Sequence, residues 1–179
     1  VTHDIDEAIK MGDKICILNV GGILEQYDSP NNILSHPANE FIEDFVGADR
    51  SLKRLNLIRV EDVMDKHPFL IQTTQSVEET RDLMSEKNLR FAYIVDSDRR
   101  LRGYVRFRDI QDKTGWVDDL IEPVAASIGV GTTLRDALAE MLVVDYANMC
   151  VLDEQGRVRG IINTQMVQEA VIESETAAG

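Results

Sequence analysis

Two stretches of this chain carry the same alternation of apolar and polar positions. The first runs Phe91-Ala92-Tyr93-Ile94-Val95-Asp96, then a polar turn from Ser97 to Arg100, then Leu101-Arg102-Gly103-Tyr104-Val105. The second runs Asn148-Met149-Cys150-Val151-Leu152-Asp153, a polar turn from Glu154 to Arg157, then Val158-Arg159-Gly160-Ile161-Ile162. Short apolar runs on either side of a polar turn predict two β-hairpins. The copies align without a gap at an interval of 57 residues, Gly103 with Gly160 and Asp96 with Asp153. The same interval pairs Val60 with Val117, Asp62 with Asp119, Ile71 with Ile128 and Met84 with Met141. A sustained repeat predicts two copies of one structural unit that pack together.

Around each hairpin the pattern predicts the same companions. In the first copy, Val60 to Met64 opens the unit, Phe69 to Thr73 is a short strand, and Ser76 caps a helix with Glu79 three residues on. Val77, Thr80, Leu83 and Met84 have helical spacing. A helix over 107–113 follows the hairpin. In the second copy the strand covers Ala126 to Val130, Thr133 caps a helix, and a last helix spans 164–173. Residues 174–179 read as a polar, frayed tail. The order is strand, helix, hairpin, helix, twice: repeat 1 over 60–116 and repeat 2 over 117–173.

Ahead of the repeats, residues 1–48 have a different pattern. Asp4 and Glu7 suit a capping box for a short helix. Strands over 14–20 and 23–27 flank Gly21-Gly22. Helices follow from Pro30 to about His36 and from Asn39 to Val46, the last ended by Gly47. A lone two-stranded hairpin is marginal, so strands 14–27 are expected to pack on the repeats or on a second copy of the chain. Residues 49–59 form a basic linker, with Leu52, Leu55 and Leu57, that reads as a short helix or an extended tether.

Charge divides the chain again. The net charge of −13 argues against a nucleic acid polymer as partner. Residues 1–48 carry 9 acids and 2 bases, residues 49–113 carry 12 and 14, and residues 114–179 carry 11 and 3. Five arginines of the middle third fall between residues 99 and 108. The two cysteines, Cys16 and Cys150, lie in apolar strand patterns and read as reduced core thiols. His3, His36 and His67 are scattered, and no Cys/His spacing suggests a metal site. No apolar run reaches membrane-spanning length, and the polar, acidic start is not that of a signal peptide, so a cytoplasmic protein is expected.

Two family resemblances rest on these residues. Val1-Thr2-His3-Asp4-Ile5-Asp6-Glu7-Ala8, a strand, Gly-Gly, a strand ending in Glu25-Gln26-Tyr27-Asp28-Ser29-Pro30, then the stretch from Ile33 to Gly47, resemble the C-terminal end of the nucleotide-binding domain of an ABC importer. The resemblance makes His3 the switch histidine that contacts the γ-phosphate of ATP. The phosphate loop GxxxxGK[ST], the signature loop and the catalytic acid do not occur in this sequence. ATP and Mg would belong to a full-length parent, and this stretch alone is expected to be no enzyme and to carry no cofactor. The repeats resemble a tandem pair of CBS domains, a Bateman module, which implies an α/β fold of two α+β units related by a pseudo-twofold axis. A CBS pair directly after such an ABC segment is similar to the ATPase subunit of osmoprotectant importers for glycine betaine, carnitine or choline. That resemblance implies membrane permease subunits as partners, a place at the inner face of the cell membrane, and a homodimer.

CBS pairs often bind adenine nucleotides between their copies. Their motif after the second hairpin strand is Gly, two apolar residues, Ser or Thr, two variable residues and Asp, the Asp holding a ribose. Here the first copy reads Gly103-Tyr104-Val105-Arg106-Phe107-Arg108-Asp109, with Arg106 in place of the hydroxyl residue. The second reads Gly160-Ile161-Ile162-Asn163-Thr164-Gln165-Met166; Asn163 suits a helix cap, but Met166 cannot hold a ribose. The resulting candidates are Tyr104, Val105, Arg106, Asp109, Tyr146, Arg159, Ile161 and Asn163. Arg100, Arg102 and Tyr104 fall on one side of a regular strand. A guanidinium at a helix start suits phosphate; a solvated cationic strand edge is the alternative. Tyr93, Tyr104, Trp116 and Tyr146 are candidates to stack on a base. The family implies cyclic di-AMP as one ligand, with a ligand-free ionic-strength sensor or a structural dimerisation module as alternatives.

Overall fold

The front segment folds on itself. In the computed structural model, which describes residues 1–144 and 148–176, α1 (Ile5–Met11) is capped by the Asp4 carboxylate, which accepts from the Asp6 and Glu7 N–H groups. The expected capping box closes halfway, because the Asp4 N–H donates to Thr2 Oγ1. β1 (Ile15–Asn19) and β2 (Ile23–Asp28) pair antiparallel, turning at Gly21 and Gly22, both with positive φ. α2 (Pro30–Ser35) starts on Ser29 and Pro30, and α3 (Glu40–Val46) starts on Asn39 and stops at Gly47. Ile15 and Ile17 pack with Ile5, Ile9, Ile33, Leu34, Ile42 and Val46 in one core. The expectation that these strands lean on the repeats is therefore corrected: their own three helices cover one face of the hairpin. The opposite face is open, with Leu18, Val20, Leu24 and Tyr27 each more than half exposed. Cys16 shares that face and is exposed. It alternates out of phase with Ile15 and Ile17, which corrects its reading as a core thiol.

The linker contains a short helix, α4 (Arg50–Arg54), followed by residues that join other cores. Leu55 is buried among residues of the second repeat and Leu57 packs on the front core. The buried Arg54 donates from Nε to Asn31 Oδ1 at 3.3 Å, tying the linker to α2.

Each repeat contributes a three-stranded sheet. The first contains α5 (Val60–Val63), β3 (Leu70–Gln72), α6 (Val77–Glu86), β4 (Phe91–Val95), β5 (Leu101–Arg106) and α7 (Phe107–Ile110). The second contains a 3-10 turn (Val117–Leu120), β6 (Ile128–Gly129), α8 (Leu134–Val144), β7 (Asn148–Leu152), β8 (Val158–Asn163) and α9 (Thr164–Thr176). The sheets have the orders β3-β4-β5 and β6-β7-β8, the first pair parallel and the second antiparallel. Ser76 and Glu79 form the full capping box, and Thr133 Oγ1 accepts from the Asp136 N–H. α7 ends at Ile110, three residues before the expected end.

The lead segment of each repeat is exchanged. Val60 is buried with Leu134, Met141, Met149 and Ile162 of the second repeat. Val117 is buried with Ile71, Val77, Met84 and Ile94 of the first. Backbone bridges follow the same rule, Asp65 with Ile161 and Glu122 with Tyr104. So do the orphan N–H groups at the helix starts: Leu134 donates to the Ile58 carbonyl and Val77 to that of Gly115. The packing units thus differ from the sequence repeats by one traded segment each. The trade explains the repeated glycine. A Cβ on Gly160 would sit 2.6 Å from the Asp65 carbonyl oxygen, and one on Gly103 would overlap the Glu122 carbonyl oxygen and Ile121. Between the sheets Tyr93, Val95, Cys150 and Val158 form a shared apolar layer. Burial there pushes the Cys150 thiol up to about 12, against a hydrogen bond with Tyr93 that lowers it.

Candidate functional site

The start of β4 and the end of β5 border two neighbouring cavities. One, of about 250 Å³, is lined by Arg90, Phe91, Tyr93, Tyr104, Arg106, Val124 and Asn148. Its walls come from both repeats because Val124 arrives on the exchanged lead and Asn148 opens β7. The other, of about 450 Å³, has an apolar floor of Met84, Leu89 and Phe107, and Arg90, Arg106 and Arg108 around it with Ser85 and Asn88. Arg90 and Arg106 belong to both. A ring-sized apolar cavity beside a cationic one matches a compound with a flat ring and an anionic group.

Arg106 is held from three sides. Its Nη2 donates to the Tyr104 hydroxyl at 2.6 Å, and that hydroxyl donates to Glu122 Oε2 at 2.9 Å. Its Nη1 lies 3.1 Å from Glu122 Oε2 and 3.5 Å from Asp109 Oδ2. The guanidinium also stands 5.2 Å from the centre of the Tyr104 ring. Desolvation opposes its charge, but Glu122, Tyr104 and Asp109 together outweigh that and hold its pKa above the ordinary value. As the residue before α7, Arg106 has no oxygen with which to cap the helix. Asp109 also lies 3.4 Å from Arg108 Nε. The carboxylate expected to hold a ribose is thus shared between two arginines.

The other candidates separate. Val105 is 1% exposed and packs in the core of the first repeat, so its side chain does not face the cavity. Ile161 packs in the layer between the sheets beside Tyr104 and Val124. Asn163 Oδ1 accepts from the Met166 N–H at 2.8 Å and caps α9. Arg159 is exposed and lines a groove with Lys66, His67 and Arg99, apart from Arg106. A bulge at Arg102 breaks the alternation expected of β5. Arg100 instead pairs with Arg157 of the other hairpin, and neither Arg100 nor Arg102 lines a cavity with Tyr104. Tyr93 is a buried wall residue whose hydroxyl donates to the Asn148 carbonyl at 3.0 Å. Trp116 is exposed and pairs by backbone with Ser76, outside the cavities. Tyr146 lies outside the described residues. His3 is exposed beside α1. Among the described residues no group of three or more His, Cys, Asp or Glu side chains gathers to hold a metal ion, and no helix is long and apolar enough to cross a membrane.

Sequence reasoning missed Arg90, Phe91, Val124, Asn148 and Glu122. Phe91 and Asn148 occupy the same position in the two repeats, as do Glu122 and Asp65. That register was readable, but which repeat each lead visits was not.

Two three-stranded sheets packed on a shared apolar layer, each closed by the lead of the other repeat, are the architecture of a tandem CBS-domain pair. The CBS domain model matches residues 60–113 and 117–173, and the chain belongs to the CBS-domain family. It is 33% identical over 177 residues to the osmoprotectant import ATP-binding protein OsmV of Salmonella typhimurium, covering 98% of this chain and 46% of that protein. It is 34% identical over 178 residues to the glycine betaine/carnitine/choline transport ATP-binding protein OpuCA of Bacillus subtilis, covering 97% and 47%. The chain therefore spans about half the length of the curated relatives it matches, and both matches reach beyond the repeats into the front segment. Among solved structures, CbpB in complex with c-di-AMP matches with a TM-score of 0.64 at 14% identity, over 72% of this chain and 93% of that one.

Proposed function

We propose that this chain is the regulatory CBS module of the ATPase subunit of an osmoprotectant importer, and that an adenine nucleotide, cyclic di-AMP foremost, binds it to control osmolyte uptake. The observation that carries the reading is the aromatic cavity of Tyr104, Tyr93 and Phe91 with Arg106 at its edge and the three-arginine cavity next to it. In this reading an adenine ring enters between Tyr104 and Val124, Asp109 faces its ribose, and Arg90, Arg106 and Arg108 face its phosphates. The relatives support the importer assignment, and the c-di-AMP complex of CbpB supports the ligand class. Residues 1–48 would be the end of an ABC domain, 49–59 its linker, and the open face of β1 and β2 the surface that further ATPase sequence covers. The parent would hydrolyse ATP with Mg, work with membrane permease subunits at the inner face of the membrane, and bring two modules together as a homodimer.

Calorimetry with adenosine, AMP, ATP and cyclic di-AMP tests the ligand. The cyclic dinucleotide is expected to bind most tightly, and no heat with any of them would end the nucleotide reading. A second reading, an ionic-strength sensor, is favoured by one observation. Arg99, Arg100, Arg102, Arg157 and Arg159 are all exposed at the hairpin ends, and none forms an ion pair among the described residues of this acidic chain. Salt-dependent dimerisation without nucleotide binding, followed by light scattering, would select it. A dimer indifferent to both salt and nucleotide would leave a structural dimerisation module.

A further inference from the structure

We propose that Glu122 is the residue that sets which phosphate the site accepts, favouring a singly charged phosphodiester over a phosphate monoester. The proposal rests on the nucleotide reading and adds to it a charge filter. Glu122 comes from the lead that repeat 2 lends to repeat 1. Its backbone is fixed there, its N–H donating to the Tyr104 carbonyl at 2.9 Å and its carbonyl accepting from the Tyr104 N–H at 3.0 Å. Its carboxylate is fixed as well, by the Tyr104 hydroxyl and by Arg106. An incoming phosphate that seeks Arg106 therefore meets an anchored anion 3.1 Å from the same guanidinium.

The charges around the two cavities decide the outcome. Arg90, Arg106 and Arg108 bring three positive charges, and Glu122 and Asp109, both in contact with these arginines, return two negative ones. One positive charge remains. A phosphodiester carries one negative charge and balances it. A monoester near neutral pH carries up to about two, so its second charge is repelled by Glu122 with nothing left to offset it. The repeat lacks this device on its other side. Asp65, the counterpart of Glu122, turns its carboxylate to the N–H of His67 in its own loop. The counterparts of Arg90, Arg106 and Arg108 are Ala147, Asn163 and Gln165.

Glu122→Gln in the full chain tests this. Glutamine keeps the length and an oxygen for the Tyr104 hydroxyl but loses the charge. Affinities for adenosine, AMP and cyclic di-AMP are compared by calorimetry with those of the unaltered chain. Adenosine should change less than about twofold, cyclic di-AMP should tighten a few-fold, and AMP should tighten by about tenfold, because removing one charge at this range acts in proportion to the charge of the phosphate group that meets Arg106, which is absent in adenosine, single in each phosphodiester and about double in a monoester. Glu122→Asp, which keeps the charge, should preserve the original order, and Asp65→Asn should change none of the three. Equal shifts for all three compounds, or AMP gaining no more than adenosine, would overturn the filter and leave the nucleotide reading intact. Inorganic pyrophosphate separates the remaining case. If no adenine compound binds, the nucleotide reading fails, yet pyrophosphate should still bind Glu122→Gln more tightly than the unaltered chain. Equal pyrophosphate affinities would overturn the filter too.

Discussion

The two repeats agree wherever they build the fold and disagree wherever they face the cavities. Gly103 and Gly160 both lie under an exchanged lead, and Val60 and Val117 are both buried in the other repeat's core. Both hairpins bulge at the same place, at Arg102 and Arg159. At the cleft the correspondence ends. Tyr104, Arg106 and Asp109 face Ile161, Asn163 and Met166 across the same interval. Arg106 makes ion pairs, whereas Asn163 caps a helix. A duplicated unit preserves what packing requires of both copies, and one copy is then free to carry the chemistry. The electrostatics of the site are one-sided even though its backbone is two-fold.

Breaking the shared part should have the largest effect. Gly103→Ala and Gly160→Ala each place a methyl against the backbone of the exchanged lead, and overpacking of this kind costs about 1–3 kcal/mol or more. Gly103 should cost the more, since its Cβ would approach its neighbours more closely than that of Gly160 and its φ is +153°. Urea unfolding midpoints of the two variants measure this; unchanged midpoints would mean that the leads are not packed as described.

Breaking the unshared part should separate binding from stability. Arg106→Ala removes one charge-assisted contact from a half-exposed site and is expected to weaken cyclic di-AMP by roughly ten- to a hundredfold. Its partner Asn163→Ala should leave that affinity alone and destabilise the chain by about 1 kcal/mol through the lost cap of α9. Calorimetry and urea titration on the same two samples give both readings. Equal loss of affinity in both variants would make the cleft symmetric after all.

How far these features were legible follows from their range along the chain. The hairpins, the capping box at Ser76 and the cap at Asn163 are local, and the sequence showed them. The 57-residue interval showed that two units exist. It could not show the exchange, because a lead packs equally well on its own unit or its neighbour until the distant partner is known. Glu122 was hidden for that reason: nothing near it in sequence binds it, and its partners Tyr104 and Arg106 are reached only through the exchange. Arg102 was misplaced because a bulge adds one residue and shifts the alternation that assigned its side. Cys16 was misread although its phase relative to Ile15 and Ile17 was visible.

The cysteines sharpen a second contrast, between the front segment and the repeats. Cys16 is exposed and Cys150 is buried with its pKa raised to about 12. A thiol reagent near pH 8 should modify Cys16 first and reach Cys150 only after denaturant is added, as mass spectrometry would record. Cys150 binds its proton more tightly folded than unfolded, so its contribution to stability is full below the unfolded thiol pKa of about 8.5. That contribution is lost as pH rises from there toward 12. Cys150→Ala should flatten this alkaline loss, and an unchanged slope would assign it to other groups.

The smallest effect is expected where the repeats share a cost. Arg100 and Arg157 are partners in a backbone bridge, and both are exposed. Like charges set opposite one another repel, and opposite-strand pairs are worth roughly 0.2–1 kcal/mol. Exposure places this pair at the low end, because water screens it. Arg157→Ala should therefore raise the urea midpoint slightly at low salt, by the equivalent of a few tenths of a kcal/mol. The gain should vanish at about 1 M salt, where the screening length falls to about 3 Å. Cyclic di-AMP affinity should stay put, because Arg157 lines neither cavity around Arg106. A tenfold loss of affinity would instead bring the hairpin ends into the binding site. A loss of stability that persists in high salt would show that Arg157 holds the turn through its aliphatic stem rather than opposing Arg100 through its charge.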